Sequence, residues 1–106
     1  MYKYSWTEFE VQALAFGILR KALWPQYLVR GEVKFIEGCR LDIAIFKPSL
    51  DNTPPDLVLA IEIKKGRKGC STKQGERYSA LLGVPCLYIR GKEEAYKALD
   101  LVRPYL

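Results

Sequence analysis

The spacing of apolar residues divides the chain into helical and strand-like segments. Val11, Leu14, Ala15, Ile18, Leu19, Ala22 and Leu23 form a wide stripe with helical period. It predicts a helix over residues 6–23. Ser5 with Glu8, and Thr7 with Glu10, both have the spacing of a capping box. Pro25, following Trp24, marks the stop. Residues 27–36 alternate imperfectly and read as an edge-like strand, and Gly38 marks a turn. Leu41 to Phe46 is a short, strongly apolar strand. Residues 48–55 are rich in Pro, Ser, Asp, Asn and Thr and read as a connection. Leu57 to Lys64 is the next strand. A second helix is expected over about 72–82, stopped by Gly83, then a strand over 84–89. Gly91 and Lys92 turn the chain into a last helix over about 93–102.

The order is helix, strand, strand, strand, helix, strand, helix. Short connections suit an antiparallel meander for the first three strands, and the intervening helix suits a parallel crossover to the fourth. The expectation is one α/β domain over residues 1–106, with a central mixed sheet flanked by helices.

Charge adds a puzzle to this pattern. Asp42 interrupts the run Leu41 to Phe46, and Glu62 and Lys64 lie in the run LVLAIEIKK. Carboxylates and an ammonium in apolar strands are costly unless paired or holding a metal. A hairpin centred near Asn52 sets Asp42 opposite Glu62, roughly 5 Å away. Alternation then puts Leu41, Ile43 and Ile45 with Leu57, Leu59, Ile61 and Ile63 on an apolar core face. Asp42, Ala44 and Phe46 share the other face with Val58, Ala60, Glu62 and Lys64.

Two carboxylates so close repel unless a positive charge lies between them. The chain has no histidine, so Mg²⁺ is the natural ion, with Mn²⁺ as a substitute. Lys64 would point into the same site and stabilise charge on a phosphate. The plainer alternative is an Asp42–Lys64 salt bridge with Glu62 solvated at a strand end. Without histidine, Ser-His-Asp and Cys-His nucleophile systems are excluded.

Composition constrains the rest. The chain is 49% hydrophobic and 27% charged, ordinary for a folded domain. Its net charge of +5 leans toward a polyanionic partner. Lys64, Lys65, Arg67, Lys68, Lys73 and Arg77 cluster around Gly66 and Gly69. Such a loop suits a phosphate backbone, and Arg40 would extend the patch. No apolar run is long enough to span a membrane, and the start lacks a signal-peptide pattern. Cys39, Cys70 and Cys86 show no C-x-x-C spacing, so reduced thiols and a cytoplasmic location are expected.

Asp42 followed by Glu62-Ile63-Lys64 on two adjacent apolar strands resembles the PD-(D/E)XK nuclease superfamily, over nearly the whole chain. The resemblance implies a restriction-endonuclease-like core. It implies that Asp42, Glu62 and the backbone carbonyl of Ile63 bind Mg²⁺, and that Lys64 assists the attacking water. It also implies a further acid from the first helix, Glu10, with Glu8 as substitute. Gln74 and Tyr78 look like the Q-x-x-x-Y of RecB-like members, which places Gln74 beside the catalytic group and Tyr78 among the residues facing DNA. Gly83-Val84-Pro85 resembles the strand entry of small virus-type replication-repair nucleases. The family's proline before the aspartate is absent, because Arg40 and Leu41 precede Asp42. The literal Pro55-Asp56 pair is no substitute: Asp56 lies about 20 Å from Glu62 if both share a strand, and reads as a turn acid.

The functional expectation is a Mg²⁺-dependent DNA endonuclease acting on double-stranded, branched or junction DNA, or on ends. A homodimer or a larger replication or repair complex fits so small a core. The alternative is a non-catalytic nucleic-acid-binding or protein-interaction module of the same fold.

Overall fold

A computed structural model describes residues 6–36, 39–64 and 79–106. Helix α1 spans Glu8–Leu23 and begins with a complete capping box. The Thr7 hydroxyl accepts the Glu10 N–H at 3.2 Å, and the Glu10 carboxylate accepts the Thr7 N–H at 3.1 Å. Thr7 is therefore the cap, and Ser5 lies outside the described residues. The buried stripe runs through Val11, Ala15, Leu19 and Leu23, an i,i+4 row along one face. Ala22, expected within the stripe, is exposed.

Strands β1 (Leu28–Ile36), β2 (Cys39–Lys47), β3 (Asp56–Lys64) and β4 (Cys86–Arg90) form one sheet in the order β1-β2-β3-β4. The first two pairings are antiparallel and β3 pairs with β4 in parallel. That is the expected meander followed by a crossover. The β2–β3 connection is organised by Asp51, which accepts hydrogen bonds from the hydroxyls of Ser49 and Thr53.

Residues 79–82 are helical and end at Gly83, whose φ of +70° supplies the left-handed stop and whose N–H donates to the Ser79 carbonyl at 2.8 Å. After β4, Gly91 (φ +74°) turns the chain into α2 (Gly91–Tyr96), followed by α3 (Ala98–Val102) and a 3₁₀ turn, Arg103–Tyr105. The single last helix expected over 93–102 is thus two short helices. They meet at Lys97, whose backbone leaves the helical region at φ −95° and ψ 11°. Ala95, Ala98 and Val102 are buried on both sides of that break. The hydrophobic period therefore runs straight through it.

The main core joins Val11, Ala15, Leu19 and Leu23 of α1 to Ile43, Ile45, Leu59, Ile61, Ile63 and Ile89 of the sheet. Ala95, Ala98 and Val102 close it. A second, smaller cluster holds Leu41, Ala44 and Ala60, with Val33, Phe46, Leu57, Leu82 and Cys86 packed against it. Two expected placements change. Leu41 belongs with Ala44, not with Ile43 and Ile45. Leu57 likewise joins the second cluster, while Val58 packs on the main core.

The ladder from Gly31↔Ile43 to Val33↔Leu41 keeps its register, although Glu32, at φ +52°, is not paired with Asp42. The change at Leu57 has a backbone cause. A bulge between Ile45 and Phe46 brings Phe46 opposite Leu57 rather than Val58. One extra residue reverses every side chain beyond it. With both faces covered, β3 is buried almost throughout, hence its near-continuous apolar sequence. No helix among the described residues is long and apolar enough to cross a membrane.

Candidate metal and phosphodiester site

The register Ile45↔Leu59, Ala44↔Ala60, Ile43↔Ile61, carried one step further, sets Asp42 beside Glu62. The backbone ladder stops there and a side chain takes over. Asp42 Oδ2 accepts the N–H of Ile63 at 2.8 Å. From the other side, Gln12 of α1 donates its Nε2 to the Asp42 carbonyl at 3.1 Å. Asp42 is thus clamped between a helix side chain and a strand backbone.

Glu62 is 5% exposed and is the buried charged residue of the described core. Its Oε1 has no hydrogen-bond partner among the described residues. Its carboxyl is pushed up from 4.5 to about 8. Burial is the first cause, followed by the Asp42 charge and a hydrogen bond with that side chain. The Lys64 ammonium and the Asp42 backbone pull it the other way. Asp42, Glu62 and Lys64 therefore share one electrostatic environment, as their spacing predicts.

Two further residues join them that the sequence reading did not single out. In the parallel ladder Glu62 pairs with Tyr88, and Lys64 with Arg90, so each pair shares a face. The Tyr88 ring lies 5.9 Å from Lys64 Nζ and 6.0 Å from Arg90 Cζ. The signal was present in CLYIR, where Tyr88 and Arg90 alternate in step with Glu62 and Lys64. It could be used only once the parallel register was known. Gln12 had a weaker signal, a lone amide beside the buried stripe of α1.

The remaining candidates divide. Glu10 serves the capping box. No cluster of three or more His, Cys, Asp or Glu side chains suited to a metal occurs among the described residues. Glu8 lies exposed in the first turn. Asp56 is the first residue of β3, paired with Lys47 at the far end from Glu62. It is a strand residue, not a turn acid. Arg40 meets Glu32 at 3.2 Å on the exposed surface. Lys65, Arg67, Lys68, Lys73, Gln74, Arg77 and Tyr78 lie outside the described residues.

The donors suit Mg²⁺. That ion keeps several waters and is commonly held by one or two carboxylates plus substrate phosphate oxygens. A buried carboxylate oxygen with no partner among the described residues, beside a second carboxylate, is the fitting observation here. Compared with known protein families, with characterised proteins and with solved structures, the chain matches none.

Proposed function

We propose that this protein is a Mg²⁺-dependent nuclease that hydrolyses phosphodiester bonds in DNA, acting on branched structures or ends. The observation that carries the reading is Glu62: a buried carboxylate with one oxygen unpartnered among the described residues, beside Asp42 and within reach of the Lys64 charge. A carboxylate kept proton-bound near neutral pH by its surroundings becomes useful when a cation replaces that proton.

Asp42 and Glu62 would hold the ion, together with the Ile63 carbonyl. When bound, Mg²⁺ would neutralise the pair and polarise the phosphodiester. Asp42 is kept in place by the Ile63 N–H and the Gln12 amide. Lys64 offers a fixed positive charge for the phosphate as negative charge builds on it. Tyr88 braces the Lys64 ammonium through its ring face, and Arg90 adds a second cation on the same side. The net charge of +5 favours a polyanionic substrate.

Cleavage of supercoiled and branched DNA in Mg²⁺ tests the reading. Lys64→Ala is expected to lower the rate by about a hundredfold, the order of one lost transition-state donor, with metal affinity retained. Equal rates for wild type and Lys64→Ala would refute the proposed role of Lys64.

A further inference from the structure

The geometry points to a second binding site, a groove for a single nucleic-acid strand between the C-terminal half of α1 and the edge strand β1. It rests on the nucleic-acid part of the reading above and adds the substrate feature that reading lacks, an unpaired segment.

A cavity of about 750 Å³ lies there, within the range of roughly 300–1,000 Å³ common for ligand sites. Phe16, Trp24 and Tyr27 provide aromatic surface, and Trp24 remains 64% exposed. Arg20, Lys21 and Arg30 provide its charge, and among the described residues no carboxylate lines it. Cations at the end of α1 are favoured by the helix dipole alone. That does not account for Arg30, which comes from β1, nor for an indole left in water beside them. Among the described residues no ion pair engages these three cations. The Arg20 guanidinium lies 6.0 Å from the Phe16 ring.

The floor is partly bare backbone. Gly17 lines the cavity, and a Cβ added there would meet nothing within 4 Å. A smaller cavity of about 220 Å³ shares Phe16 and Gly31 and extends along α1 to Gln12. Glu32, the acid that lines it among the described residues, is engaged by Arg40. Gln12 is the residue that holds the Asp42 carbonyl. The two cavities together therefore run from Trp24 to Gln12, which holds the backbone of Asp42 on β2.

Charge and shape select the occupant. An apolar peptide would leave three cations without counter-charge. A duplex keeps its bases stacked inside, out of reach of Trp24. A single strand offers both phosphates and free base faces, the pairing that cationic grooves with aromatic platforms exploit.

Anisotropy titration of a labelled oligothymidylate with the full chain, in EDTA, tests this. Trp24→Ala is expected to weaken binding on the order of tenfold, and Trp24→Phe to keep most of it. Arg20→Gln combined with Arg30→Gln is expected to weaken binding and flatten its salt dependence. Circular dichroism checks that each variant is folded. Wild-type affinity in both Trp24→Ala and the arginine variant would overturn the proposal. So would an equal loss of duplex binding in Trp24→Ala, or a wild-type dimer that this substitution dissociates, which would assign the groove to a second copy. A protein that cuts no DNA yet binds the oligomer through Trp24 keeps the groove and loses the nuclease. One that cuts through Asp42 and binds the oligomer without Trp24 does the reverse.

Discussion

Asp42→Ala is expected to abolish Mg²⁺-dependent cleavage and to loosen the fold, whereas Asp42→Asn abolishes cleavage with little cost to stability. The difference follows from the two duties of one carboxylate. Its Oδ2 accepts the Ile63 N–H at 2.8 Å where the β2–β3 ladder ends, and Ile63 is 3% exposed. Alanine strands that N–H, at a cost of about 1–3 kcal/mol. Asparagine offers a carbonyl oxygen in the same place and removes the repulsion toward Glu62. Neither substitute can hold a hard cation as a carboxylate does, so both should cut at least about a hundredfold more slowly. Urea denaturation without divalent metal, set beside cleavage rates, separates the duties. Cleavage by Asp42→Asn at the wild-type rate would contradict the assignment.

Without divalent metal, the protein is expected to lose stability as pH rises between about 4.5 and about 8 through Glu62, and Glu62→Gln to remove that loss. In the unfolded chain this carboxyl ionises near 4.5, and in the fold near 8. Between those values the folded state holds a proton that the unfolded state has released. Each rise in pH then favours unfolding, and the contribution is whole only below the lower value. The loss across the window is on the order of 2 kcal/mol, less than the full shift implies because Lys64 and entering water screen the charge. Glu62→Gln should match wild type at about pH 5 and exceed it at about pH 9. Mg²⁺ should restore the wild type at alkaline pH and leave the glutamine variant unmoved. Denaturant midpoints across pH, with EDTA or Mg²⁺, provide the check. A wild-type midpoint that rises through this window in EDTA would contradict the burial of Glu62.

Much of this architecture is legible in residue spacing. The stripe Val11, Ala15, Leu19, Leu23 and the box Thr7–Glu10 specify α1 by local rules. The register that pairs Ile43 with Ile61 is the one that matches apolar residues across the connection, and it brings the acids together as well. Glu62 could be singled out because a charge inside an apolar run is expensive.

The rest depends on backbone events without a sequence mark. A bulge between Ile45 and Phe46 moves Leu57 to the second cluster, which Leu41 also joins. No glycine marks that bulge. Lys97 breaks the last helix in the middle of an unbroken apolar period. Tyr88 and Arg90 reach the site through a parallel pairing, and a crossover does not reveal its register. Gln12 finds Asp42 only through the packing of α1 on the sheet.

The most direct test is a crystal of the protein soaked in Mn²⁺ and measured at the manganese absorption edge. An anomalous peak joining the carboxylates of Asp42 and Glu62, absent from Glu62→Gln crystals, is the predicted result. A fully soaked wild-type crystal with no peak there would contradict the account.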